Sequence, residues 1–139
     1  MKRILILDDD REMATLWKLI FEREGYAVFS TGKVQEAQDW LAESSYDLLI
    51  MQGGIPVFDW WQFYKLLRTN AAFKTLRVLI LLNKLMPIGG NPKQVDEVRN
   101  ETRSYGDEIV TELIDIKDLR EIIKRLLGSD NGFATPQIQ

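Results

Sequence analysis

The sequence predicts an α/β domain of (βα)5 type, in which a doubly wound parallel five-stranded sheet lies between two layers of helices. Three observations predict it. Apolar runs such as Ile4 to Leu7 and Leu76 to Leu82, the second broken only by Arg77, are near-continuous rather than alternating, as strands covered on both faces require. Segments with apolar residues at helical spacing separate these runs. Glycines and other turn residues stand where one pattern gives way to the next. Such an alternation implies crossovers of one hand and places any site at the carboxyl ends of the strands.

The elements follow in order. Ile4 to Leu7 is the first strand, ended by Asp8, Asp9 and Asp10. Arg11 to Glu24 carries Met13, Leu16, Trp17, Ile20 and Phe21 at helical spacing, and Gly25 stops it. Tyr26 to Ser30 is a second strand and Lys33 to Ser44 a second helix, with Val34, Ala37, Trp40 and Leu41 on one face. Tyr46 to Met51 is a third strand that runs into Gln52-Gly53-Gly54, where the backbone can turn sharply. Asp59 and Gln62 have capping-box spacing ahead of a helix bearing Trp60, Phe63, Tyr64 and Leu67.

Leu76 to Leu82 is too short for a membrane helix and suits a central parallel strand. Asn83 to Pro92, with Pro87, Gly89, Gly90 and Pro92, reads as a loop. Gln94 to Tyr105 is a thinly apolar helix with only Val95 and Val98 at core spacing. Ile109 to Leu113 is the last strand, and Asp115 caps a final helix with a strong stripe of Ile116, Leu119, Ile122, Ile123, Leu126 and Leu127. The expected domain is 1–128, and 129–139 reads as a flexible tail or the start of a linker to an output domain.

Composition narrows the function classes. With 139 residues, 45% of them apolar, the chain suits one domain that folds by itself. A net charge of -3 supplies no basic surface, so direct nucleic-acid binding by this segment is not expected. There is no cysteine, which fits a reducing cytoplasm, and no histidine, which removes the commonest general base and metal ligand. Ile4 to Leu7 is far too short for a signal-peptide core or a membrane span, so a cytoplasmic protein is expected. Gly53-Gly54 and Gly89-Gly90 lack the companion residues of a nucleotide loop and read as turns.

Three segments on this pattern carry a resemblance. Ile4 to Leu7 running into Asp8-Asp9-Asp10, Tyr46 to Gln52 followed by Gly53-Gly54-Ile55-Pro56 and Asp59, and Gly106 to Glu112 together resemble the receiver domains of response regulators in two-component signalling, over roughly residues 2 to 127. The resemblance implies the flavodoxin-like, CheY-like three-layer sandwich. It also implies an acidic pair at Asp8 and Asp9 holding Mg²⁺, a phosphoacceptor position at the end of the third strand, and a partner histidine kinase.

At the positions the resemblance marks, this sequence departs from the pattern. Gln52 stands at the acceptor position, and a carboxamide lacks the nucleophilic oxygen that an acyl phosphate needs. Leu82, or Asn83 if the register slips by one, replaces the hydroxyl residue; Ile109 replaces the switch aromatic and Glu112 the lysine. The pocket of Asp8, Asp9, Gln52, Leu82, Asn83, Ile109 and Glu112 is therefore read as a degenerate acceptor site with no catalytic residue. Asp8, Asp9 and Glu112, with the Gln52 carbonyl, form a candidate Mg²⁺ or Ca²⁺ site, against the plainer reading in which no cofactor binds and Glu112 turns into water.

The resulting expectation is a phosphorylation-independent pseudo-receiver that is not an enzyme and signals by dimerising or docking a protein partner. Ligand or metal sensing, and phosphorylation on another carboxylate such as Asp8, Asp9 or Asp59, are the rival readings. Val95, Val98, Tyr105, Ile109 and Trp60 are the candidate interface residues. Trp60 and Trp61 are adjacent, so one should pack while the other stays partly exposed, and Trp60 has the bulk to plug the vacated pocket. Trp17 and Trp40 are expected in the core.

Overall fold

The structure, a computed structural model, describes residues 1–82 and 92–128, with the backbone alone at 92–94. Asn83 and the loop read after it, to residue 91, and the tail at 129–139 lie outside the described residues. The strands β1 (Arg3–Leu7), β2 (Ala27–Thr31), β3 (Leu48–Gln52), β4 (Arg77–Leu81) and β5 (Glu108–Val110) pair in parallel, in the order β2-β1-β3-β4-β5. The helices α1 (Arg11–Arg23), α2 (Val34–Glu43), α3 (Trp60–Thr69), α4 (Pro92–Ser104) and α5 (Ile116–Gly128) alternate with them, and a 3₁₀ turn, Ala71–Phe73, follows α3. This is the fold the sequence predicts.

Pleating sorts the strand residues into two cores. Ile4, Ile6, Leu48, Ile50 and Leu79 pack against Phe21 of α1 and Leu119, Ile123 and Leu126 of α5. Leu5, Leu7, Leu49, Met51 and Ile80 pack on the other face against Ala37, Phe63, Tyr64 and Val98 from α2, α3 and α4. Helix starts are fixed by acceptors: Asp10 takes the Met13 amide at 3.1 Å, Asp59 the Gln62 amide at 3.0 Å, and Asp115 the Asp118 amide at 2.8 Å. Gly25 leaves α1 at a φ of +96°, which a residue with a Cβ rarely adopts.

Several expectations are corrected. β5 ends at Val110, because its ladder stops where the Leu82 amide bonds the Val110 carbonyl at 2.7 Å; Thr111 to Leu113 leave the sheet. On α1 the buried residues are Ala14 and Phe21, while Met13 and Leu16 are 41% and 50% exposed, so the stripe is rotated from the face that the larger side chains suggest. Trp17 and Trp40 are half-buried at the edges of the two cores rather than inside them.

Away from the carboxyl ends, a buried polar group joins α3, β4 and the start of β5. Asp107 accepts from the Tyr64 hydroxyl at 2.7 Å and the Val78 amide at 2.9 Å, and the Arg68 guanidinium lies 3.4 Å away with its side chain 3% exposed. Arg68 also donates to the Phe73 and Leu76 carbonyls at 3.2 and 2.8 Å. Burial pushes the Asp107 carboxyl up, and the bonds from Tyr64 and Val78 and the charge of Arg68 oppose that rise. Removing the carboxylate would strand the Arg68 charge. Asp107→Ala is expected to cost roughly 3–5 kcal/mol of unfolding free energy, against about 1–2 kcal/mol for Tyr64→Phe, as read from urea midpoints. Equal losses would contradict the stranded-charge account.

Candidate functional site

The chain leaves β1 for β2 on one side of the sheet and returns to β3 on the other, so the carboxyl ends of β1 and β3 form the crevice where open α/β sheets bind ligands. Leu7 pairs with Met51 and Gln52 with Leu81, which brings Asp8, Gln52 and Leu82 to one end of the sheet. Asp8 is 3% exposed, and its Oδ1 accepts the Asp10 amide at 2.8 Å. Burial raises the Asp8 carboxyl above its usual range; the Asp10 amide opposes this, and the Asp10 and Asp9 carboxylates reinforce it. Arg11 spans from the Asp8 carbonyl, at 2.9 Å, to the Ser30 hydroxyl, at 2.7 Å, and so ties the first loop to the end of β2.

Gln52, at the end of β3, is half-buried, and its Oε1 accepts the Gly54 amide at 3.3 Å. The Gly53 amide donates to the Leu81 carbonyl at 2.9 Å. A Cβ at Gly53 would lie 2.8 Å from Leu82 Cδ1 and 3.2 Å from Trp60 Cδ1, so any larger residue here must push these side chains aside. Leu82 and the Trp60 indole thus press on the backbone directly after Gln52. Of the adjacent pair, Trp60 packs, at 7% exposure, and Trp61 is half-buried, stacked on Tyr64 with ring centroids 5.5 Å apart.

The other expected site residues are distributed differently. Leu82 is buried in the crevice, while Ile109 is 2% exposed in the core against α3 and α4. Glu112 is exposed and lines a cleft of about 460 Å³ with Asp8, Gln52 and Leu82. Asp9 lines a separate hollow with Arg11, Ser30, Gly32 and Lys33. Asp8, Asp9 and Glu112 therefore do not converge, because successive residues leaving β1 point to different sides. Among the described residues no group of three or more acidic, His or Cys side chains fits a metal ion.

The expected interface is corrected as well: Trp60, Val98 and Ile109 are buried, which leaves half-buried Val95 and Tyr105, 39% exposed. Sequence reasoning missed a clamp on this face. Glu108 of β5 accepts from Arg103 of α4 at 2.9 Å, from Arg125 of α5 at 3.0 Å and from the Ile109 amide at 3.0 Å. Burial alone would raise the Glu108 carboxyl, but these partners hold it below its usual range. The basic residues five positions before it and in the last turn of α5 were visible in the sequence; their convergence was not.

Two outcomes follow. Gly53→Ala is expected to cost about 1–3 kcal/mol through crowding, and much less in a Leu82→Ala background, as measured in a double-mutant cycle of unfolding free energies; an uncoupled pair would contradict the pinch. Glu108 contributes stability above its unfolded titration range and loses it as pH falls through its lower folded value. Glu108→Gln should therefore lower stability by about 1 kcal/mol at neutral pH, and urea midpoints across pH should show the two proteins converging in acid.

Comparisons with known proteins agree with this geometry. Response regulator GtcR of Aneurinibacillus migulanus is 35% identical over 83 residues, 60% of this chain and 33% of that protein, so the chain spans about a third of GtcR's length. Sporulation initiation phosphotransferase F of Bacillus subtilis is 25% identical over 117 residues, covering 75% of this chain and 93% of that one. The signal receiver domain of a signal transduction histidine kinase from Syntrophus aciditrophicus superposes with a TM-score of 0.75 at 25% identity, over 100% of this chain and 98% of that one. Residues 4–85 match the family model described as the response regulator receiver domain, and the chain belongs to that family.

Proposed function

We propose that this chain is a receiver module that signals without accepting a phosphoryl group, through protein contacts made as a dimer or with another protein. The observation that carries the reading is Gln52, a carboxamide at the carboxyl end of β3, where the resemblance puts the phosphoacceptor. Its amide nitrogen and carbonyl oxygen are poor nucleophiles beside a carboxylate. The surroundings support the same reading. Glu112 is an acid where the resemblance puts an ammonium, and Leu82 offers no hydroxyl to a transferred group. Trp60 and Leu82 fill the space over Gly53. The role proposed is binding, not catalysis.

The proposed contact surface is the face of α4, β5 and α5. Arg103 and Arg125 hold α4 and α5 to Glu108, so this face is arranged before any modification. Tyr105 is exposed at the end of α4, and a groove of about 730 Å³ bordered by Arg99, Arg103, Thr111 and Asp118 runs over β5. A second reading, a ligand-sensing receiver, is favoured by the cleft between α1 and the loop after β5.

Incubation with a small-molecule phosphodonor and Mg²⁺ tests the leading reading. The intact mass is expected to stay unchanged. A gain of one phosphoryl group, on Asp8, Asp9 or Asp59, would overturn it.

A further inference from the structure

We propose that α4 is a displaceable strap: a helix held on the domain by charged bonds, hinged at its carboxyl end, and released locally when salt screens those bonds. The opening does not require the contact role proposed for this face, although that role would give it a use. Little apolar surface fastens the helix. Among the described side chains of α4 only Val98 belongs to either core, and Val95, half-buried, is in neither. Thr102 is the other buried residue, and its hydroxyl turns back to donate to the Val98 carbonyl at 2.7 Å, a bond inside the helix that does not attach it. By comparison, α3 buries Trp60, Phe63, Tyr64 and Leu67, and α5 buries Leu119, Ile123, Leu126 and Leu127. Packing of an apolar face is what holds most helices in place, so α4 depends on other ties.

Those ties are polar. Glu101 meets Lys65 of α3 at 2.7 Å, Arg103 donates to Glu108 of β5 at 2.9 Å, and Arg99 donates to the Thr111 hydroxyl at 2.8 Å. The Lys65 and Glu101 side chains are each 37% exposed and that of Arg103 is 55% exposed, so water and salt compete for these charges. The end of the helix is fixed differently. Tyr105 rests edge-on against Tyr64, Gly106 turns the chain at a φ of +84°, and the Asp107 carboxylate is bonded to Tyr64 and Val78 in the interior, away from screening ions. A strap with exposed ionic catches and a buried hinge opens by local unfolding, below the free energy of opening the whole domain. Its release bares core surface such as Ile109, which is 2% exposed in the closed form and shares a core with Val98.

Native-state amide hydrogen exchange of the nitrogen-labelled full chain tests this at about 0.01 M and about 1 M sodium chloride, between which the screening length falls from about 30 Å to about 3 Å. The amides of Val98 to Arg103 are expected to exchange roughly tenfold or more faster than those of Ile123 to Leu127. They should gain roughly another threefold in high salt while the α5 amides stay unchanged. In Lys65→Gln, which lacks one catch, the α4 amides should exchange faster at low salt and gain less from added salt. Protection in α4 equal to that in α5, or lower but unmoved by salt, would overturn the proposal. So would a Lys65→Gln variant whose α4 exchanges as in the unchanged chain.

Discussion

The register of three central strands governs what the rest of the molecule can do. Leu7 sits beside Met51, and Gln52 beside Leu81, in a sheet whose middle strands are buried on both faces. A slip of one residue would exchange the two apolar layers, so packing on both sides fixes the register. With the register fixed, the residues that end the strands have no freedom over where they emerge. Asp8, Gln52 and Leu82 meet because of core packing, whatever chemistry they then support.

That constraint separates the scaffold from the crevice it frames. The residues that hold the sheet together, Ile4 to Leu7 and Leu48 to Met51, are wholly buried and make no use of the crevice. The residues in the crevice contribute locally: the Gln52 carboxamide bonds Gly54, and Trp60 and Leu82 pack over Gly53. These contacts are apolar and lie directly behind Gln52. Asp8, Asp10 and Glu112 line the neighbouring cleft, and no Lys or Arg does among the described residues.

Much of the fold is legible in the sequence, for definite reasons. Apolar runs such as Leu76 to Leu82, broken only by Arg77, suit a buried parallel strand, and Asp59 and Asp115 mark helix starts because each side chain accepts from the third helical amide. Periodicity gives α1 a stripe but not its rotation, since the buried residues are Ala14 and Phe21 while Met13 and Leu16 are exposed. Adjacent Trp60 and Trp61 can be separated only by knowing that Gly53 lies across from one of them. The Tyr64–Asp107 bond joins residues 43 apart, and nothing local in either segment announces it. For the same reason Ile109 reads as an interface position when its partners are distant core residues, and Val98 keeps the core place its spacing gives it.

The central claim is that the carboxyl end of β3 offers no seat for a phosphoryl group. Backbone amide chemical shifts of the nitrogen-labelled chain, recorded before and after addition of Mg²⁺ with beryllofluoride as a phosphoryl mimic, test it most directly. The account predicts that the amides of Gly53, Gly54, Leu82 and Thr111 stay in place. Saturable shifts at these four amides, absent from the rest of the sheet, would contradict it.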